Sequence, residues 1–448
     1  MPEVYTIEHS TESTAPPTDA QSGDVELDFL SYTSGSLALE LYYILDLDEL
    51  PEFAALVEKN KLEPGLKETV GGPEGKFGEG ETSLAFISAV DEYLEKKLGL
   101  TDEERSSLWS IDNYEERFGG AGYTAAANIS LLTKRFKIEK SEVRILANGY
   151  SDDGRLIEGL ESKGIATGGI DTEQRGTMTA LWNITNNPNR EIDDDRAALV
   201  WRNKIRSKFA EKMKEQMEEL SSPVDFTVVA SQSGDLETAK SIAENSIFTV
   251  FIPGSEELKQ GQEMINAYMG GNLMSLNLKE ANDLLDAVEG ADKGDKSEKR
   301  TLKSAADAIS RLFGEDGEQM NVLVTNGSKG SQISSRNGNE SHYVEAYDPS
   351  VDFDAEDEES LPKAKYTLGA GDATATVTGF LLAYSNLSPE VAAAYGNKAG
   401  FMVCTHTENT LTPEQVLTLF PPTEEEVTVS GIQKAIKMRR SIEKLQAA

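Results

Sequence analysis

Short apolar and β-branched runs recur along this chain, and most are separated by stretches with helical spacing. The runs are Val143 to Ala147, Met178 to Ile184, Phe226 to Ala230, Ile247 to Ile252 and Val322 to Thr325. Ahead of them Val25, Leu27 and Phe29 alternate with Glu26 and Asp28, the pattern of a half-buried strand. Parallel strands are joined through a crossover, usually a helix, so this alternation predicts an α/β fold with a mainly parallel sheet covered by helices. Residues 1–24, rich in Ser, Thr, Pro and acidic side chains, read as a disordered tail. The turn-prone Ser34-Gly35-Ser36 follows the first strand, and Arg202 to Leu220 reads as a helix with a solvated, charged face. The acidic run Asp352 to Glu359 reads as a solvated loop; Pro421-Pro422 closes the main body, and residues 421–448 read as an extension ending in a basic helix. The chain has no internal repeat.

Charge and cysteine content exclude several functions. Asp and Glu number 78 against 43 Lys and Arg, a formal charge of -35, so most of the surface would repel a nucleic-acid backbone. The same acidity suits a salty cytoplasm, although Lys remains plentiful. The single cysteine, Cys404, can form no internal disulfide and reads as a small buried hydrophobe; a reducing, cytoplasmic location is expected. His9, His342 and His406 are the only histidines and have no ligand spacing, so any metal is expected on oxygen donors. Met1 to Ser10 lack a basic-then-apolar pattern and no long uncharged apolar stretch occurs, so neither a leader nor a membrane span is expected.

The sharpest local feature is Gly369-Ala370-Gly371-Asp372 ahead of the small, apolar run Ala373 to Tyr384. Glycines before a helix start leave backbone N–H groups open toward an anion, and the helix dipole favours negative charge there. An Asp at the same place can take a proton from an attacking hydroxyl while those N–H groups stabilise a transferring phosphoryl group. By itself, Gly-x-Gly-Asp also makes ordinary loops and N-caps. Gly71-Gly72-Pro73-Glu74-Gly75-Lys76-Phe77 has the wrong glycine spacing for a phosphate loop, with no Ser or Thr after the Lys.

Four further segments stand in the order used by the ribokinase-like, PfkB-type carbohydrate kinases, and the chain resembles that superfamily over residues 25–420. Phe118-Gly119-Gly120-Ala121-Gly122, running on to Asn128, resembles the first signature, and Leu146 to Gly154 resembles the following strand and turn. Leu276 to Ala281, with Asn277 and Glu280, resembles the Asn-x-x-Glu motif, and Val324 to Gly330 the nucleotide-contacting strand end. Asn and Glu three apart can face one hydrated magnesium ion. Ala392 to Gly400, with Asn397, resembles the helix beside the adenine. The resemblance implies a three-layer α/β/α domain with a smaller lid drawn from residues 34–116 and 170–205, which in this family sometimes pairs two copies.

It further implies transfer of a phosphoryl group from ATP to a hydroxyl of a sugar or sugar phosphate. Asp372 would be the base, with Gly369, Ala370 and Gly371 cradling the phosphoryl group. Thr325, Gly327, Gly330 and Asn397 would meet the nucleotide, Gly119, Gly120, Gly122 and Asn128 the acceptor, and Asn277 and Glu280 Mg2+ through water. Departures from the family pattern are Tyr366, where an Asp linked to a monovalent-cation site usually stands, Thr124 in place of a familiar Asn, the late Gly379-Phe380, and about 85 residues between Ser34 and Gly119. They point toward the ADP-dependent sugar kinases, which Arg117-Phe118-Gly119-Gly120 and Thr367 to Asp372 also resemble; Arg190 and Asp193 to Asp195 are similar to that branch in layout. ADP-dependent sugar kinase, nucleoside kinase and non-catalytic binding protein are the alternatives, and the intact Asp372 speaks against the last.

Overall fold

The computed structural model describes residues 28–35, 38–46, 67–69, 82–108, 114–148, 155–171, 177–185, 196–201, 224–231, 235–290, 300–314, 320–335, 340–351, 361–364, 368–422 and 427–446. Val25 and Leu27, Gly71 to Phe77, Gly149 to Gly154, Arg190, Asp193 to Asp195, Arg202 to Leu220, Asp352 to Glu359, Tyr366 and Thr367 lie outside the described residues.

A ten-stranded sheet forms the centre. Its parallel part runs β6 (Ile165–Ala166), β5 (Ser141–Asn148), β1 (Phe29–Ser34), β10 (Phe226–Ala230), β11 (Thr249–Ile252), β12 (Leu273–Asn277) and β13 (Asn321–Thr325) in space. Antiparallel β14 (Ser331–Ser335) and β15 (Glu340–Val344) complete one edge, and β7 (Ile170–Asp171) pairs beside β5. A second, five-stranded sheet has the order β3 (Lys67–Thr69), β9 (Arg196–Trp201), β8 (Thr177–Thr185), β2 (Ala38–Asp46) and β4 (Tyr114–Gly119).

Strands covered on both faces have no solvent-facing side, and β1 and β10 are buried at every position. Side chains alternate between two cores. Phe29 joins Phe226, Val228, Val250 and Leu273 on one face, while Leu30 and Tyr32 join Val229, Phe251 and Met274 on the other. The first strand continues to Ser34, beyond the alternation Val25 to Phe29. Its second half hides Ser31, Thr33 and Ser34, all fully buried, so the apolar signal fades although the strand does not.

Six helices position the site: α1 (Ala121–Arg135), α2 (Leu278–Glu289), α3 (Leu302–Leu312), α4 (Ala370–Tyr384), α5 (Pro389–Val403) and α6 (Val429–Gln446). α4 is buried from Ala373 to Leu381 because its residues are small or apolar. Phe380 is the hub of its packing, with ring centroids 5.7 Å from Phe136, 5.8 Å from Phe226 and 6.4 Å from Phe29. Among the described residues no helix is long and apolar enough to cross a membrane.

Candidate active site

The direction of α4 follows from its contacts. Its last residue, Tyr384, packs on Phe29 at the start of β1 and donates its hydroxyl hydrogen to the carbonyl of Asp225, just ahead of β10, at 2.7 Å. Its middle, at Gly379, lies on Val250 and Phe226. The helix therefore runs against the parallel strands, and Gly369 to Asp372 arrive at their carboxyl ends. α1 does the same: its first turn meets Gly35, directly after β1, and Phe136, just past its last turn, stacks on Phe380. β5 extends the sheet on one side of β1, and β10 begins the other half. Open α/β sheets bind ligands at such a reversal, outside the carboxyl ends.

Backbones close in tightly at this point. A Cβ on Gly35 would come within 2.9 Å of the Ala230 Cβ and 3.1 Å of the Gly122 nitrogen. Gly122 is buried against Gly35 in return. Gly119 is the last residue of β4, and Gly120 caps α1 with φ 91°, a conformation that favours glycine.

At the head of α4, Gly369 is the N-cap with φ 78°, and any Cβ there would stand 2.2 Å from the Asn409 carbonyl oxygen. Gly371 is the opposite case, exposed and with nothing within 4 Å of a Cβ. Ala370, Gly371 and Asp372 open the helix, and the Ala373 N–H closes a turn onto the Gly369 carbonyl at 2.9 Å. Asp372 is half-buried in that turn. The result is a helix N-terminus, the positive end of the helix dipole, with a carboxylate in its first turn.

The remaining predicted residues fall into three groups. Asn277 ends β12 and caps α2. Its Oδ1 accepts from the Glu280 N–H at 2.9 Å, and Glu280 Oε2 accepts from the Asn277 N–H at 2.9 Å, a reciprocal capping box. Thr325 stands beside Asn277 on β13, with its hydroxyl 3.4 Å from the Leu276 carbonyl. Gly327 and Gly330 bound a short 3-10 turn; both have positive φ, and a Cβ on Gly330 would meet the Val344 carbonyl at 2.3 Å. Asn397 ties α5 to this hairpin, accepting from Ser331 Oγ at 3.1 Å and donating to the Glu345 carbonyl at 2.9 Å. Its amide therefore has a packing task as well as its place beside the strand end.

Asn128, the remaining predicted acceptor contact, has a structural partner as well. It is fully buried in α1, and its Oδ1 accepts from the Leu411 N–H at 2.9 Å, bracing the segment that seats Gly369. Sequence reasoning missed that segment, residues 405–411, and also Arg117 as its partner. It missed the role of Gly396 and Gly400, where Cβ atoms would stand 2.1 Å from Thr378 Oγ1 and 2.3 Å from Thr374 Oγ1, so glycine lets α5 close on α4. Two glycines four apart in Ala392 to Gly400 were the available signal.

The profile of the pfkB family carbohydrate kinases matches residues 85–415, more than half of the chain. No curated protein sequence matches this chain. Among solved structures it is similar to ribokinase from Thermotoga maritima, at 16% identity over 87% of this chain and 99% of that one, TM-score 0.52. Adenosine kinase from Schistosoma mansoni, in complex with 2-fluoroadenosine, is similar at 14% identity over 87% and 99%, TM-score 0.54. Ribokinase from Arabidopsis thaliana, complexed with ribose and ATP, is similar at 13% identity over 87% and 98%, TM-score 0.51. At such identities the likeness speaks to the fold.

Proposed function

The chain belongs to the pfkB family of carbohydrate kinases, and from that premise we propose that it transfers a phosphoryl group from ATP to a hydroxyl of a sugar or sugar phosphate, with Asp372 as general base. The observation that carries this reading is the glycine-opened N-terminus of α4, with Asp372 in its first turn, at the carboxyl edge of the sheet beside the Gly35–Gly122 contact.

The acceptor sits beside the Gly35–Gly122 contact, where the lack of side chains lets the two backbones close on each other at the carboxyl edge of the sheet. Asp372 takes the proton of its hydroxyl as that oxygen forms a bond to the γ-phosphorus, and the bond to the bridging oxygen of the departing ADP breaks. The N–H groups of Ala370, Gly371 and Asp372 stabilise the charge on the transferring group, and an open Gly371 lets it approach. Thr325, Gly327 and Gly330 line the nucleotide side, with Asn397 holding that hairpin to α5.

Asn277 is exposed and Glu280 half-buried, and both offer the hard oxygen donors that magnesium prefers. Because the capping box fixes their orientation, they fit a hydrated Mg2+ held through water; when bound, the ion would offset phosphate charge. The second sheet is the candidate lid that excludes water from the acceptor. ATP is favoured as donor because a similar fold, the Arabidopsis ribokinase, is complexed with ribose and ATP. A nucleoside acceptor is the second reading, favoured by the likeness to the Schistosoma adenosine kinase.

The test is a matrix of ATP and ADP against sugars, sugar phosphates and nucleosides, run with the wild type and Asp372→Asn. Wild-type transfer to a sugar hydroxyl is expected, with kcat falling at least roughly 100-fold in Asp372→Asn and nucleotide binding retained. Unchanged turnover in Asp372→Asn would sink the mechanism.

A further inference from the structure

Residues 405–411, which follow α5, form a strap that meets the catalytic turn at Asn409 and is tied to neighbouring elements on either side of that contact. The Asn409 carbonyl oxygen occupies the space a side chain on Gly369 would need, 2.2 Å from that Cβ. Two residues later, the Leu411 N–H donates to buried Asn128 of α1. Two residues earlier, the Thr407 carbonyl accepts from Nη1 of Arg117. Glu408, between them, faces Lys163 at 4.0 Å.

Arg117 belongs to β4, an edge strand of the second sheet, in register with Glu40 of β2. Three residues on, the chain reaches Gly120, the cap of α1. One half-buried guanidinium thus joins the second sheet to the strap on which Gly369 rests, and Asp372 lies three residues past Gly369 in the same turn. We propose that Arg117 is a positioning residue: through the Thr407 carbonyl it couples the seating of the second sheet to the placement of the α4 N-terminal turn. With the sheet seated, the strap presses on Gly369 and the first-turn N–H groups and Asp372 hold one geometry. Without the bond to Thr407, the strap keeps its ties to Asn128, Lys163 and Gln415 but loses its link to the second sheet, and the turn gains freedom. This inference rests on the reading of Asp372 as the base.

Phosphoryl transfer is sensitive to such freedom, since displacing a reacting group by about 1 Å can cost on the order of 100-fold in rate. A planar, multi-donor head suits a fixed carbonyl better than the single ammonium of lysine, so Lys should restore the link only in part.

The experiment compares wild type, Arg117→Met and Arg117→Lys in the full chain by steady-state kinetics and by amide hydrogen exchange. For Arg117→Met, kcat should fall roughly 10- to 100-fold with the nucleotide KM within about twofold, and Arg117→Lys should lie between it and wild type. Exchange should quicken at residues 405–411 and 368–373 and stay unchanged in β10 to β13. Wild-type kcat in Arg117→Met, a loss confined to KM, or unchanged exchange in both segments would each overturn the proposal. If Arg117→Met does not fold, Arg117→Lys decides by the same readouts. A wild type inactive on every acceptor would defeat the kinase reading instead, and the exchange comparison would still judge the coupling.

Discussion

Gly369 and Gly371 stand two residues apart in one motif and do different work, which a matched pair of substitutions separates. Gly369 has φ 78° and meets the Asn409 carbonyl, so Gly369→Ala adds left-handed strain of about 1–2 kcal/mol and a clash with backbone. It should lower Tm by several degrees and abolish turnover together. Gly371→Ala meets nothing in the folded protein, so Tm should hold within about a degree while kcat falls, because the new methyl enters the space proposed for the phosphoryl group. Thermal melts beside kinetics check both, and a Gly371→Ala enzyme with wild-type kcat would remove Gly371 from the cradle. At this scale the Gly-Ala-Gly-Asp segment was legible as a helix start because that signal is local. The tasks of Asn128 and Asn397 were not, because their partners, Leu411 and Glu345, are set by tertiary packing.

Among the elements, α6 depends most on a distant part of the chain. Arg440 donates to both oxygens of Asp225, 215 residues earlier, from Nε at 2.6 Å and from Nη2, while Asp225 Oδ2 also accepts from the Leu30 N–H at 2.7 Å. Burial pushes the Tyr384 phenol well up; Asp225 adds to that and Arg439 and Arg440 oppose it, so the phenol stays a donor to the Asp225 carbonyl. Asp225 is 1% exposed, and removing its cation strands a buried carboxylate. Arg440→Met should therefore cost about 3–5 kcal/mol, read as an earlier denaturant midpoint with the m-value unchanged. A cost below about 1 kcal/mol would mean that solvent reaches Asp225. The sequence marks α6 as a basic helix, through Lys434, Lys437, Arg439 and Arg440, but a run of positive charge does not announce one buried acidic partner, nor the packing of Ile432 and Ile436 into the main core.

For the molecule as a whole, the central sheet was legible and the second sheet much less so, for one physical reason. Strands buried on both faces are mostly apolar, and Phe226–Ala230 and Asn321–Thr325 stand where the sequence places them. β4 reads Tyr-Glu-Glu-Arg-Phe-Gly and β3 Lys-Glu-Thr, patterns that solvated loops share, so pairing with β2 and β9 rather than composition makes them strands. Charge also acts at this scale. With a formal charge of -35, like charges repel across the folded surface more than across the expanded chain, and salt screens that repulsion. Surface ion pairs such as Lys96–Glu92, with both side chains more than half exposed, contribute little and lose little to screening, whereas Arg440–Asp225 is shielded by burial. Raising KCl from about 0.05 to about 1 M should therefore raise Tm by on the order of a few degrees, with chloride chosen because strongly excluded anions such as sulfate stabilise most folded proteins. A Tm that fell with KCl would show that attraction within exposed ion-pair networks, rather than the net charge, dominates the electrostatics of this fold.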